Sequence, residues 1–285
     1  MAIRIISDST CDIELNDCNK MQVDIVPLTV SFKDEQYLDC VGISKTDFFE
    51  KLRKCETLPT TSQANPDGFY KLFSKYADAG DEVICLNISS KLSGTYQSAL
   101  IAREMISNNE KIHVIDSKNA THGLALMVKV AVKMRDKGKS ADEIVNILNE
   151  LVDRVRLMVV VSSLKYLKMG GRISASTAAI GNILGVVPIL SLVDGEIKSL
   201  TNVRGKKAAH KWMLSKVKED GIDDNYPVEL THSGSPEIVN ELINIASSGD
   251  IQLDLKEAGL NEIGCVIGTH TGPGCSGIAY VAAKK

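Results

Sequence analysis

Residues 82–95 read EVICLNISSKLSGT. Val83 to Leu86 is an unbroken apolar run, the mark of a strand buried on both faces. Through Ser93-Gly94-Thr95 the chain then turns into a helical pattern that reaches Met105. A strand that leads through a polar turn into a helix is the repeating unit of a parallel sheet. The unit recurs upstream, where residues 3–6 form a short apolar run ending at Ser7-Asp8-Ser9-Thr10. Residues 23–32 read as a second strand, with Asp24 and Pro27 fitting an edge position. Ser44-Lys45-Thr46-Asp47 resembles a capping box ahead of Phe48, Phe49 and Leu52. Pro66-Asp67 opens a helix with Phe69, Leu72, Phe73 and Tyr76 at helical spacing. Downstream, residues 111–115 predict a strand and residues 121–137 and 140–155 two helices. Gly138-Lys139-Ser140 between them supplies a stop and an N-cap. Residues 157–161 are strand-like again.

This alternation predicts an α/β fold, a mostly parallel N-terminal sheet with helices on both faces. From about residue 162 the texture changes. Residues 170–185 are rich in Gly and Ser. A hairpin follows, 186–193 and 196–201, turning at Asp194-Gly195. Helices are expected over 204–218 and 236–246, and strands over 227–231, 251–255, 263–268 and 278–282. The reading is two domains: residues 1–160, α/β, and residues 161–285, α+β. A length of 285 residues agrees with that division, at roughly 150 residues per domain.

Composition removes several classes. Lys plus Arg is 33 and Asp plus Glu is 36, a net charge of -3, without the basic excess of a nucleic-acid binder. No apolar run approaches the roughly 18 residues of a membrane span. MAIRIISDST has too short an apolar stretch before Asp8 for a signal peptide. The seven cysteines are odd in number and lack a CxxC, which reads as reduced thiols in a cytoplasmic protein. The five histidines include no HxxxH or HExxH pair, so no resident metal is expected.

Chemistry is expected beyond the carboxyl ends of the strands, where open α/β sheets bind ligands. Polar clusters stand at Ser7-Asp8-Ser9-Thr10, at Thr60-Thr61-Ser62-Gln63, at 89–95 and at His270-Thr271-Gly272-Pro273-Gly274. Gly170-Gly171-Arg172 forms a fifth. Hydroxyls and free N–H groups at a helix start suit an anion, and Ser93-Gly94-Thr95 is the best candidate; the simpler reading makes Ser93 an N-cap. Arg172 offers a fork that matches a carboxylate or phosphate. There is no GxGxxG, no GxxxxGK[ST] and no GxSxG. A Ser93/His270 nucleophile–base pair stays open.

In order along the chain, SDST, TSQ, SSKLSGTYQSA, KMGGRIS, PIL, RGKKAA and HTGPG resemble the DegV family, which includes the fatty-acid-binding subunits of bacterial fatty acid kinase. The resemblance runs from Ser7 to Gly274. It implies a lipid-binding carrier, not an enzyme, holding one long-chain fatty acid between two domains with no cofactor. A separate kinase subunit would phosphorylate the carboxylate with ATP, toward phospholipid metabolism. Neither nucleic acid nor more than transient membrane contact is implied. By motif, the ligand-binding residues would be Thr61, Ser62, Ser93, Gly94, Thr95, Arg172, His270 and Thr271, with Arg172 in the polar network or on the docking face. Where many members have a basic residue before PIL, this chain has Val187. The alternative function is an esterase-type hydrolase using Ser93 and His270.

The residues fit a carrier physically. A buried carboxylate needs hydrogen-bond donors, and Thr61, Ser93 and His270 supply them. An acyl chain of about 16 carbons at about 0.8 kcal/mol per buried methylene gives roughly 12 kcal/mol of gross driving force. Ala178, Ile180, Ile183, Leu184, Val186, Ile189 and Leu190 are candidate tunnel walls or ordinary core.

Overall fold

Ile5 and Ile6 are adjacent in the chain and both 0% exposed, yet they enter different cores. A strand sends successive side chains to opposite faces, so β1 (Ile3–Asp8) is covered on both. In the computed structural model, which describes residues 2–174, 185–248 and 251–284, β1 pairs in parallel with β2 (Val23–Val26) and with β6 (Glu82–Asn87), and β6 pairs with β7 (Ile112–Asp116). The order is β2-β1-β6-β7. One face is covered by α5 (Thr121–Asp136) and α6 (Ala141–Val152). The other meets α2 (Lys45–Lys54), α3 (Pro66–Asp78) and α4 (Thr95–Glu104). The short α1 (Leu15–Lys20) leads into β2. The caps are those that the sequence predicts: Ser140 and Glu143 close a reciprocal capping box, Asn65 caps α3 ahead of Pro66, and Ser44 accepts from the Asp47 amide.

The strand expected over residues 23–32 is two strands in two sheets. Pro27 has no N–H to continue a ladder, and the chain breaks there. β3 (Thr29–Phe32) then pairs antiparallel with β4 (Glu35–Leu38) and β5 (Thr60–Ser62), a small sheet that the sequence reading missed.

The remaining strands form a six-stranded sheet in the order β10-β9-β8-β13-β11-β12. They are β8 (Val155–Val160), β9 (Val186–Val193), β10 (Glu196–Arg204), β11 (Glu229–His232), β12 (Gly259–Glu262) and β13 (Ser276–Val281). Asp194 and Gly195 both take positive φ, 51° and 81°, as a two-residue hairpin turn of this hand requires. One face of this sheet packs Met158, Val160, Ile189, Ile278 and Tyr280 against the helices α8 (Lys206–Asp220) and α9 (Glu237–Ser247). β8 already belongs to this sheet, through β9 and β13, although it precedes residue 161.

Two expected strands are absent. Residues 251–255 form an irregular turn with Gln252 at φ 50°, and Ile251 and Leu255 are buried as anchors. Residues 263–268 lead instead into a helix, α10 (Cys265–Thr271), which packs beside the short α7 (Lys165–Met169). Its β-branched residues favour a strand locally, but packing prevails. Gly268 lies so close to Phe48 and Phe49 that a Cβ there would stand 2.8 and 2.9 Å from their rings. Among the described residues no helix is long and apolar enough to cross a membrane.

Candidate functional site

Strand order reverses between β1 and β6, the neighbours at which an open parallel sheet leaves a crevice beyond its carboxyl ends. The SDST cluster sits there and closes it internally. The Asp8 carboxylate, 0% exposed, accepts from the Thr10 amide at 3.0 Å, the Thr10 hydroxyl, the Ile88 amide at 2.8 Å and Asn87 Nδ2 at 3.3 Å. Ser9 Oγ accepts from the Leu28 amide at 3.1 Å. These groups are spent on holding β1, β6 and the start of β3 together, so SDST is scaffold rather than ligand contact.

Beyond this staple, the free face of the six-stranded sheet comes against the carboxyl edge of the parallel sheet. Leu157, Val159, Leu190 and Leu192 alternate with the core residues of β8 and β9 and point the other way. Leu28, Ile88, Leu92 and Ala120 face them, and Ile263, Val266 and Ile267 close a side. The cavity between them spans about 860 Å³, part of it open to solvent, and forms a slot with aliphatic walls.

Six of the eight residues singled out in the sequence share this slot: Thr61, Ser62, Ser93, Arg172, His270 and Thr271. Thr61 Oγ1 and His270 Nε2 share a hydrogen bond of 2.8 Å across 209 residues of chain. Among the described residues His270 Nδ1 is buried without a partner, against Gly170, where a Cβ would lie 2.1 Å from it. The imidazole proton therefore belongs on Nε2, which donates to Thr61 and leaves the Thr61 hydroxyl proton for a ligand. Ser93 Oγ shares a hydrogen bond of 2.9 Å with Thr95 Oγ1 and accepts from the Thr95 amide at 3.3 Å. Gly94 is the N-cap residue of α4. Thr95 is fully buried and accepts from the Ala64 amide at 3.2 Å. Gly94 and Thr95 thus shape the turn without forming the slot's wall. Arg172 donates through Nε to the Leu92 carbonyl at 3.3 Å and through Nη1 to that of Gly170. The Thr271 hydroxyl donates to Ile267 O at 3.1 Å, within its own helix.

His270 lies in the last turn of α10, not in a loop after a strand. The Ser93/His270 pair required for an esterase is not formed: the imidazole bonds Thr61, Ser93 bonds Thr95, and among the described residues no acid holds Nδ1. Of the proposed wall residues, Leu190 lines the slot, Ile189 is core and Val186 is partly buried. Ala178, Ile180, Ile183 and Leu184 lie outside the described residues. Leu157, Val159 and Gln63 were missed as slot residues. Val159 and Leu157 carried a signal in their alternation with Met158 and Val160. Gln63 stood in the TSQ cluster, and its Nε2 donates to Ser98 Oγ at 2.9 Å.

Burial, with the Arg172 charge adding to it, lowers the His270 imidazole from 6.5 to about 4. Between these values the unfolded chain binds a proton that the folded chain does not, so His270 costs stability as pH falls from about 6.5 toward 4. His270→Gln is expected to flatten this part of a plot of urea midpoint against pH. An unchanged plot would show that the ring is not desolvated. Asp12, raised from 3.8 to about 7 by burial, acts in the opposite sense but is present in both proteins and cancels.

The family model for the DegV family matches residues 2–283. A DegV domain-containing protein of Caldanaerobacter subterraneus is 39% identical over 279 residues, 98% of each chain. Among solved structures, a DegV family protein of Thermus thermophilus, described as binding fatty acid, superimposes with a TM-score of 0.89 at 31% identity, covering 99% of this chain and 100% of its own. A stearic-acid-binding protein of Eubacterium ventriosum gives a TM-score of 0.87 at 31% identity, covering 99% and 98%. DegV of Bacillus subtilis, described as a fatty acid binding protein, gives 0.85 at 29%, covering 99% and 100%.

Proposed function

Because the chain belongs to the DegV family, we propose that it is a carrier that binds one long-chain fatty acid in the slot between its two large sheets. The acyl chain lies along Val159, Leu190 and their neighbours. The carboxylate accepts from the hydroxyls of Thr61 and Ser93, with His270 behind Thr61 and Arg172 beside it. The observation that carries this reading is the joining of an aliphatic slot to a hydroxyl–imidazole pair at one place on its wall. Such a site solvates an anion without a metal. The solved relatives whose descriptions name fatty acids support it.

In the finer reading, the bound carboxylate is presented to a separate kinase subunit, which makes an acyl phosphate with ATP. Arg172 then faces the charge that develops on the added phosphate. The fold is read as two units meeting at the slot, and the pairing of β8 with β9 and β13 favours a division just before Val155 over one near residue 160.

Protein made in bacteria, denatured and extracted, is expected to release one fatty acid per chain by mass spectrometry. Incubation of the loaded protein with kinase subunit and ATP should then give acyl phosphate. Repeated absence of lipid, with no uptake of added palmitate or oleate, would overturn the carrier reading. Lipid without phosphorylation would overturn only the presentation step.

A further inference from the structure

The helix that carries His270 has no cap of its own. α10 spans seven residues, and its N-cap, Gly264, has no side chain to receive the first amides. The missing acceptor comes from 226 residues away: the Cys265 amide donates to Asp39 Oδ1 at 3.2 Å. Asp39 is 1% exposed and is held in turn by its own amide, which donates to Leu28 O at 2.9 Å. Asp12, 4% exposed, converges on the same place. A Cβ on Gly264 would lie 2.4 Å from Asp12 Oδ1, so a side chain there would displace the Asp12 carboxyl group. Lys45 Nζ completes the grip, donating to Glu262 O at 2.8 Å and Asp12 O at 3.2 Å while pairing with Glu14 at 2.6 Å.

Residues 262–265 are therefore held by two groups from the first fifth of the chain, Asp39 and Lys45, with Asp12 packed against Gly264. At its other end the same helix gives His270 to Thr61. In between, Gly268 rests on Phe48 and Phe49. The helix is a short bar fixed at both ends to the N-terminal half, although its sequence belongs to the other. Burying the Asp12 and Asp39 carboxyl groups is costly. A seven-residue helix has little stability without its ends secured, and the Asp39 cap secures one of them.

We propose that Asp39 is a positioning residue for carboxylate recognition, capping the His270 helix from outside its own segment, with Lys45 fixing the residues that lead into it. The proposal deepens the fatty-acid reading and rests on it for the effect on ligand. Asp39 touches no ligand itself, and its influence passes along α10 to the Thr61–His270 pair.

The test uses the full chain with Asp39→Ala and Asp39→Asn, since asparagine retains an acceptor at the Oδ1 position. Binding of palmitate is compared with that of methyl palmitate. Loss of one cap is expected to weaken palmitate about fivefold, with methyl palmitate unchanged, and Asp39→Asn should restore most of the loss. In the lipid-free protein, the imidazole 15N resonances of His270 should titrate nearer 6.5 in Asp39→Ala than in the parent, as the ring loosens from its buried place. Lys45→Met, which frees Glu262 without touching Asp39, gives the same readings where Asp39→Ala does not fold. Equal loss for acid and ester, or a His270 titration unchanged in every folded variant, would overturn the proposal. The titration needs no ligand, so it distinguishes failure here from failure of the fatty-acid reading.

Discussion

Val159→Trp is expected to fold and to emerge from bacteria without lipid, whereas Val160→Trp is expected to lose stability. The two positions are neighbours on β8, and the strand period assigns them to opposite faces. Val159 faces the slot, and Val160, 1% exposed, faces the helices of the second core. Val159 lines the slot among other aliphatic side chains, so an indole there projects into the path proposed for the acyl chain. At Val160 the same ring enters a packed core, where overpacking costs typically about 1–3 kcal/mol. Lipid content by mass spectrometry and urea midpoints measure both effects. Retention of a full complement of lipid by Val159→Trp would mean that the acyl chain lies elsewhere.

Thr61→Ala and Ser93→Ala are each expected to weaken binding of the free acid by about 10- to 150-fold. This follows from the loss of a donor to a buried charged group, worth about 1.5–3 kcal/mol. Thr61 is the last member of the chain Nε2–H to Oγ1 to carboxylate, so its removal leaves both His270 and the ligand without a partner. Ser93 also accepts from the Thr95 amide, and its loss loosens the start of α4 as well. A neutral ester of equal chain length should lose much less affinity. Equal losses for acid and ester would assign both residues to packing.

Much of the fold could be read locally. The Asp194-Gly195 hairpin, the Ser140 cap and the strand–turn–helix at residues 82–95 depend on neighbours in the chain, and all three are present. α10 was read as a strand because Cys265, Val266 and Ile267 carry no local sign of the phenylalanines 200 residues away that favour a helix there. β8 was assigned to the first sheet because its pairing partners follow it in sequence. Hydroxyls beside glycines after strands marked the polar clusters, of which Thr61 and His270 share a hydrogen bond and Ser93 lines the same slot. The walls were legible only in part, Leu190 as a slot residue but not apart from Ile189 in the core, since an aliphatic side chain facing a slot has the same sequence signature as one facing a core. SDST stood out equally and proved to be a staple.

The Thr61–His270 hydrogen bond has a consequence for synthesis. Its two halves are separated by 209 residues, and ribosomes add about 5–20 residues per second. Thr61 therefore waits on the order of 10 to 40 seconds for its partner. Once β7 has been made, within that interval, the parallel sheet can form with its carboxyl edge not yet closed by α10. A nascent chain of this protein thus exposes the aliphatic lining of the slot to other hydrophobic molecules before it can select an anion. Discrimination in favour of a carboxylate begins only when His270 has left the ribosome and docked.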